Sequence, residues 1–163
     1  MIETKTIKIL VSCPGDVTPE KEEIKRLCEA FSKTNLNHSQ IVFHVLDWKD
    51  HIGNYGTRPQ EQLNDFFGDY DTYIGILWKR FGTKPGSSNS NNKENDSGTE
   101  EEFYIAVEKY QTHAKPDIKF FVKTYNRDIN SSAESEQIAK VFKFIDEQKK
   151  SNNNFINEFQ SPE

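Results

Sequence analysis

The sequence has few of the residues that mark metal-binding, disulfide-bonded or membrane proteins. It contains only two cysteines, Cys13 and Cys28, in 163 residues, and their contexts are those of small core residues in a reducing compartment. The four histidines lack metal-ligand spacing, and no HExxH motif or CxxC pair occurs, so we expect no metal site. No apolar run reaches the length of a membrane span, and the first residues lack a signal-peptide pattern. We therefore expect a cytoplasmic domain that does not bind membranes.

Several enzyme motifs and the charge of a nucleic-acid-binding protein are also missing. The sequence has no Gly-x-Ser-x-Gly elbow of serine hydrolases, no Walker loop and no dinucleotide fingerprint. The 26 acidic and 21 basic residues give a net charge of −5, and we expect no nucleic-acid partner. Hydrophobic residues make up only 34% of the chain, but 12 Phe and 6 Tyr residues supply bulk for one core.

Short apolar runs alternate with amphipathic segments along the chain. Four runs have the length and composition of strands, at residues 7–11, 41–46, 73–78 and 118–122. Each is followed by a helical pattern. We predict that Thr18 caps the first helix, that Thr57-Arg58-Pro59-Gln60 forms a capping box before the second, and that Ser131 caps the last. Four βα units in succession predict a flavodoxin-like doubly wound α/β fold, with a mainly parallel sheet of four to five strands and helices on both faces.

The domain boundaries follow from composition. We assign residues 1–150 to the α/β domain and residues 151–163 to a tail or the start of a linker within a longer polypeptide. Within that tail, Phe155, Ile156 and Phe159 can form a last short strand. Residues 84–97 are a loop rich in Asn and Ser, which we predict to be flexible. Because this loop overhangs the predicted ligand crevice, it is either a lid or a simple insertion.

Ligands of doubly wound folds bind at the carboxyl ends of the strands, where the turn after the first strand contains Ser12, Gly15 and Asp16. Gly15 permits close backbone approach, and the following helix start offers N–H groups to an anion. The alternative is a tight turn in which Asp16 or Thr18 caps the helix.

The turns after the second and third strands carry aromatic and basic residues. Trp48 follows the second strand, where it either contacts a substrate or packs within its loop. After the third strand, Arg80 can pair with a phosphate, and Phe81 or Trp78 can stack on a base. The alternative for Arg80 is a side chain that lies over the aromatic edge of the core.

Three consecutive glutamates open the helix that precedes the fourth strand. Acidic residues suit a helix N-terminus, but three exceed what capping requires. The 3.6-residue turn predicts that Glu101 points away from the core and that Glu100 and Glu102 flank the buried stripe. If Thr99 is the N-cap, Glu102 completes a capping box, whereas if Ser97 is the N-cap, Glu100 completes it. The sequence leaves both alternatives open.

In combination, these motifs resemble a known family over roughly residues 5–125. The matching segments are Ser12-x-Pro14-Gly15-Asp16-Val17, Trp48, Gly56-x-Arg58-Pro59-Gln60, Tyr70-Asp71-x-Tyr73-Ile74-Gly75-Ile76-x-Trp78-x-Arg80-Phe81-Gly82-Thr83 and Ser97-Gly98-Thr99-x-Glu101-Glu102-Phe103. They resemble an uncharacterised TIR-like domain found at the N-terminus of STAND-type NTPases and other multidomain defence and signalling proteins. The resemblance implies fusion or coupling to a larger signalling protein and self-association through this domain.

The helix start Gly98-Thr99-x-x-Glu102-x-x-x-Ala106 is also similar to that of nucleoside 2-deoxyribosyltransferases, in which the glutamate attacks the anomeric carbon of a nucleoside. Many TIR domains use a glutamate to cleave the nicotinamide glycosidic bond of NAD. The similarity implies that Glu102 is the nucleophile or stabilises an oxocarbenium-like centre, with Gly98 and Thr99 at the substrate. Tyr104 stands where the deoxyribosyltransferases have a small residue.

The resulting expectation is a TIR-like effector or sensor domain of antiviral defence that hydrolyses the N-glycosidic bond of NAD or a related nucleotide, without a cofactor. The turn from Ser12 to Asp16 and Arg80 would hold phosphate, and Trp48 or Phe81 would stack on a base. Two alternatives stay open. One is a non-catalytic self-association module, in which aromatic residues such as Trp48 and Tyr55 would be contact anchors. The other is a nucleotide sensor without turnover.

Overall fold

The computed structural model describes residues 3–47, 64–65, 67–86, 94–151 and 155–161, which form one sheet with helices. The strands are β1 (Lys5–Ser12), β2 (Ile41–Leu46), β3 (Thr72–Leu77), β4 (Asp117–Lys123) and β5 (Ile156–Phe159). The helices are α1 (Thr18–Ser39), α2 (Gly98–His113) and α3 (Ser132–Lys150), and a 3-10 turn (Gly15–Val17) precedes α1.

All paired strands run parallel, and their order is β2-β1-β3-β4-β5. This is the flavodoxin-like order, so the predicted doubly wound α/β fold is confirmed. At the carboxyl end of β1, Ser12 lies opposite Gly75 of β3. The predicted last strand is also confirmed, because β5 pairs with β4 from Phe120↔Ile156 onwards.

The core has two parts because alternate residues of a strand point to opposite faces of the sheet. One part is rich in aromatic rings, among which Phe103, Phe120 and Phe144 meet with centroids 5.3 to 5.7 Å apart. The other part lies between the sheet and α1, and consists of Ile9, Val11, Val17, Val45 and Ile76. The phenylalanines therefore supply core bulk, as the sequence predicted from its many aromatic residues.

The helix starts confirm one predicted cap and correct another. Ser131 Oγ accepts a hydrogen bond from the Glu134 amide at 3.1 Å, and Glu134 Oε2 accepts one from the Asn130 amide at 2.8 Å. The predicted capping box is thus present, although the glutamate reaches one residue further upstream than usual. Thr18 is not the cap of α1 but its first residue, and its hydroxyl donates to the Gly15 carbonyl at 2.9 Å.

Two predictions about local structure fall wholly or partly outside the described residues. Positions 87–93 of the loop predicted over residues 84–97 lie outside, and so does the capping box predicted at residues 57–60. Asn64, Asp65 and Phe67, which follow that box, are helical. In the described part of the chain, no helix combines the length and the apolar character that a membrane span requires.

Candidate functional site

Ser97, and not Thr99, is the N-cap of α2. Ser97 Oγ accepts a hydrogen bond from the Glu100 amide at 3.0 Å, and Glu100 Oε2 accepts one from the Asp96 amide at 2.5 Å. Glu100 is therefore the capping glutamate, in the same arrangement as in α3. Of the two alternatives that the sequence left open, the structure selects the one that leaves Glu102 outside the capping box.

The three glutamates differ in burial. Glu100 and Glu101 are 3% and 6% exposed, whereas Glu102 is half-buried. Glu101, which the periodicity of the helix places away from the core, is nevertheless buried, and it accepts a hydrogen bond from Asn64 Nδ2 at 3.3 Å. Asn64 belongs to the helical residues that follow the second strand. This segment contacts the side of α2 that carries Glu101, which the apolar periodicity of α2 alone would leave exposed.

The negative charge of Glu102 acts on a polar cluster near the start of α2. The cluster consists of Cys13, which follows β1, of Tyr70 and Tyr73 at the start of β3, and of Ser12 and the Thr99 carbonyl, which adjoin the Tyr73 hydroxyl. Burial, and next the negative charge of Glu102, raise the pKa of Tyr70 and Tyr73 well above the ordinary tyrosine value. Burial raises the pKa of Cys13 to about 11, which Lys21 opposes and Glu102 reinforces. These hydroxyl and thiol groups are therefore neutral at physiological pH.

The hydroxyl groups of this cluster are poorly satisfied. The Tyr73 hydroxyl donates only a long hydrogen bond, of 3.5 Å, to the Thr99 carbonyl. The Ser12 hydroxyl is its neighbour and opposes the rise in the pKa of Tyr73. Even so, among the described residues neither Ser12 Oγ nor the Tyr70 hydroxyl has a hydrogen bond of regular geometry, although both atoms are buried. Buried groups of this kind are rare and require an explanation.

Asp16 connects the turn after β1 to the turn after β3. Its Oδ2 accepts hydrogen bonds from the backbone amides of Lys79, at 3.0 Å, and Arg80, at 2.9 Å. The neighbouring Gly15 is exposed, and a Cβ at that position would meet nothing within 4 Å. The turn thus combines a structural carboxylate with an open backbone position, and its contact with a phosphate stays a prediction.

The side chains predicted to contact substrate after β3 divide between surface and core. Arg80 is exposed, and within the described ranges its guanidinium group makes no ion pair. Phe81 is 2% exposed and packs against Phe144 at a centroid distance of 5.6 Å. A base would stack on Phe81 only if that packing opened. Trp48, the candidate after β2, lies outside the described residues.

Trp78, the other stacking candidate, is surrounded by cations. Its indole N–H donates to the Tyr125 carbonyl at 2.8 Å, and the ammonium groups of Lys123 and Lys79 lie 4.6 and 5.3 Å from its ring centroid. Lys123 in turn pairs with the buried carboxylate of Glu20. Sequence reasoning missed Glu20 and Lys123, because no local pattern indicates that residues so far apart in the chain meet.

The described residues contain no group of three or more His, Cys, Asp or Glu side chains that could hold a metal ion. A cleft of about 470 Å³ opens at the amino ends of β1, β3 and β4, and therefore at the edge of the sheet opposite to the predicted crevice. Its lining includes Asp71 and Lys115, which pair at 3.2 Å, and Tyr70. Tyr70 thus lines this cleft and is also within range of the charge of Glu102.

Comparison with known proteins gave one match. The family model described as a domain of unknown function, DUF4062, matches residues 12–163 of this chain. The search of curated proteins and the search of solved structures found no match. The matched range includes the turn after β1, the turn after β3 and the start of α2, so the candidate site belongs to the family domain.

Proposed function

The chain belongs to the DUF4062 family, and we propose that this domain is a TIR-like effector or sensor that cleaves the N-glycosidic bond of NAD or a related nucleotide. One observation carries the proposal. The half-buried carboxylate of Glu102 stands outside the capping box of α2, beside neutral hydroxyl and thiol groups. This is the edge of a parallel α/β sheet where ligands bind.

A carboxylate in this position suits glycosidic chemistry. A Glu102 oxygen attacks the anomeric carbon, the carbon–nitrogen bond breaks, and the base leaves with the bonding electron pair. Water then hydrolyses the glycosyl ester and restores the carboxylate. Alternatively, Glu102 stabilises an oxocarbenium-like centre without bonding to it. In either case the N-terminal end of α2 favours the ionised form of the carboxylate, because the helix dipole is positive there.

The substrate would be held by groups that surround Glu102 and the neighbouring turns. The exposed guanidinium group of Arg80 suits a phosphate, and Gly15 leaves room for one beside the backbone. The remaining candidates for substrate contact are Ser12, Asp16, Trp48, Phe81, Gly98 and Thr99. A fused or coupled signalling protein of a defence system would control the activity.

The decisive experiment incubates the purified protein with NAD, NADP and a nucleoside mixture and detects released base by mass spectrometry. Glu102→Gln is assayed beside it, with Glu108→Gln, an exposed glutamate of the same helix, as the matched control. We expect the wild type and Glu108→Gln to release base and Glu102→Gln to lose at least about 100-fold in rate. Equal activity of Glu102→Gln, or no release even after artificial clustering, contradicts the proposal.

A second candidate function is self-association without catalysis, and exposed apolar side chains favour it. Tyr125, Ile129 and Phe142 are 62%, 55% and 47% exposed, and exposed apolar side chains mark a contact surface where they form a contiguous patch. Concentration-dependent light scattering tests this hypothesis. If the protein self-associates through this surface, Phe142→Ala should weaken assembly. Trp48 and Tyr55, which the sequence suggested as contact anchors, lie outside the described residues. A nucleotide sensor would instead show thermal stabilisation by NAD without turnover.

A further inference from the structure

A glutamine of α3 clamps the end of the turn that follows β3. Gln137 Oε1 accepts hydrogen bonds from the backbone amides of Phe81, at 2.8 Å, and Gly82, at 3.0 Å. Gln137 Nε2 donates in return to the Gly82 carbonyl at 3.3 Å. One half-buried side chain therefore satisfies backbone groups of two consecutive residues that have no partner strand at this point. The contacts on both sides of its amide group fix the position and the orientation of this part of the turn.

The same turn is clamped at its other end by Asp16. The amides of Lys79 and Arg80, which Asp16 Oδ2 binds, are those immediately before Phe81. The four consecutive amides from Lys79 to Gly82 are thus held by two side-chain oxygens, one from the turn after β1 and one from α3. Arg80 lies between the two clamps, and its side chain is exposed. A guanidinium group on a fixed backbone loses less conformational freedom on binding a ligand than one on a mobile turn.

The clamped turn also packs against the start of α2. Gly82 has a φ of 109°, and a Cβ at this position would lie 3.1 Å from the Cβ of Ser97, the N-cap of α2. Glycine is therefore required here both by the backbone angle and by the close approach. Through Gln137 and Gly82, α3 is connected to the helix start that precedes Glu102 as well as to the turn that carries Arg80.

We propose that Gln137 is a positioning residue that fixes the turn after β3 so that Arg80 holds a phosphate group of a nucleotide ligand. This inference rests on the proposed function, in which Arg80 contacts phosphate. Gln137 acts through the backbone, because its amide oxygen and nitrogen are both bound to the turn. A neutral amide suits the role, since it accepts from the turn without adding a negative charge close to a site for an anion.

The test measures the Kd of inorganic pyrophosphate and of NADP for the full chain by isothermal titration calorimetry. Gln137→Met keeps the length of the side chain but removes its hydrogen bonds to the turn, and it should weaken binding of both probes at least about 10-fold. Arg80→Met should weaken binding at least as much. The double variant Gln137→Met/Arg80→Met should bind no more weakly than Arg80→Met, because Gln137 acts through Arg80.

A second glutamine of α3 provides the matched control. Gln148 is 7% exposed and donates a hydrogen bond to the Tyr104 hydroxyl at 3.4 Å. Gln148→Met should therefore lower stability without changing either Kd. Gln137→Asn has the same amide on a shorter side chain that reaches the turn less well, and it should weaken binding at least about 3-fold. This milder variant decides the question if Gln137→Met fails to fold.

Wild-type affinity in a folded Gln137 variant overturns the proposal, even where thermal unfolding shows a loss of stability, because the role of Gln137 would then be structural alone. A further loss of affinity in the double variant relative to Arg80→Met overturns it too, and so does absence of binding to the wild type. A wild type that binds pyrophosphate through Arg80 but leaves NAD intact refutes the proposed function alone. If the wild type cleaves NAD, Gln137→Met should raise KM at least about 10-fold and change kcat less than about 3-fold.

Discussion

The Glu20 carboxylate and the Lys123 ammonium group meet at 2.5 Å, although 103 positions separate them in the chain. Their side chains are only 5% and 17% exposed. The pair joins the first turn of α1 to the end of β4 and sets the Lys123 charge against the ring of Trp78. It therefore helps to define the edge of the sheet on which the candidate site lies.

Lys123→Met should destabilise the protein by about 3 kcal/mol, because it leaves the Glu20 carboxylate buried without its cation. Urea unfolding measures the change. The double variant Glu20→Gln/Lys123→Met should recover more than half of the loss, since it removes both charges. Lys119→Met is the control, because Lys119 pairs with Asp117 at the surface and should change stability by less than about 1 kcal/mol. Equal losses of unfolding free energy for Lys123→Met and Lys119→Met would contradict the expectation that the buried pair contributes more to stability than the exposed one.

Ser97→Ala should lower the free energy of unfolding by about 1 kcal/mol, because the Glu100 amide loses its acceptor. Ser131→Ala should cost a similar amount, since Ser131 accepts from Glu134 in the same way. Glu102→Gln should cost less than either, because Glu102 stands outside the capping box. Chemical unfolding of the three variants compares these values. A loss for Glu102→Gln as large as that for Ser97→Ala would show that Glu102 is important for the helix start.

Gly75→Ala should destabilise the protein by about 2 kcal/mol through overpacking. A Cβ at Gly75 would overlap the ring of Phe120, which is fully buried between the helices and the sheet. Gly15→Ala is the matched control, because a Cβ there meets open space. Thermal unfolding should separate the two variants clearly. Equal midpoints would mean that the Phe120 ring can move aside at no cost.

Asp71 should make stability depend on pH in the acid range. The Lys8 amide donates to its carboxylate at 2.9 Å and Lys115 pairs with it at 3.2 Å, and these contacts lower the pKa of Asp71. A lowered pKa in the folded state contributes stability above the unfolded value of about 3.9, and this contribution is lost as the pH falls through the folded value.

Asp71→Asn should therefore be less stable than the wild type at neutral pH, and the difference should shrink as the pH falls below about 4. Unfolding free energies measured by urea titration at several pH values test this. The exposed Asp128 provides the control variant Asp128→Asn, whose curve should run parallel to that of the wild type. A constant difference between Asp71→Asn and the wild type would rule out the titration of Asp71 as its cause.

Local patterns in the sequence were sufficient to predict the architecture. Each predicted strand is present, and the capping box at Ser131 was readable because its two partners lie three residues apart. Helix and strand periodicities arise from backbone geometry over a few residues, and parallel βα units then leave few topologies. The cap of α2 was harder, since Ser97 and Thr99 both have a glutamate three positions later. Only the structure shows that Ser97 is the N-cap.

Tertiary structure alone decided how the candidate site is surrounded. Glu101 is buried because a distant segment that contains Asn64 covers it, and the periodicity of α2 carries no information about that segment. Phe81 packs into the core, and Asp16 binds the backbone after β3, for the same reason. Local periodicity specifies which residues form each strand and helix. Contacts between remote segments specify which side chains those elements bury, because burial depends on distances that no local pattern encodes.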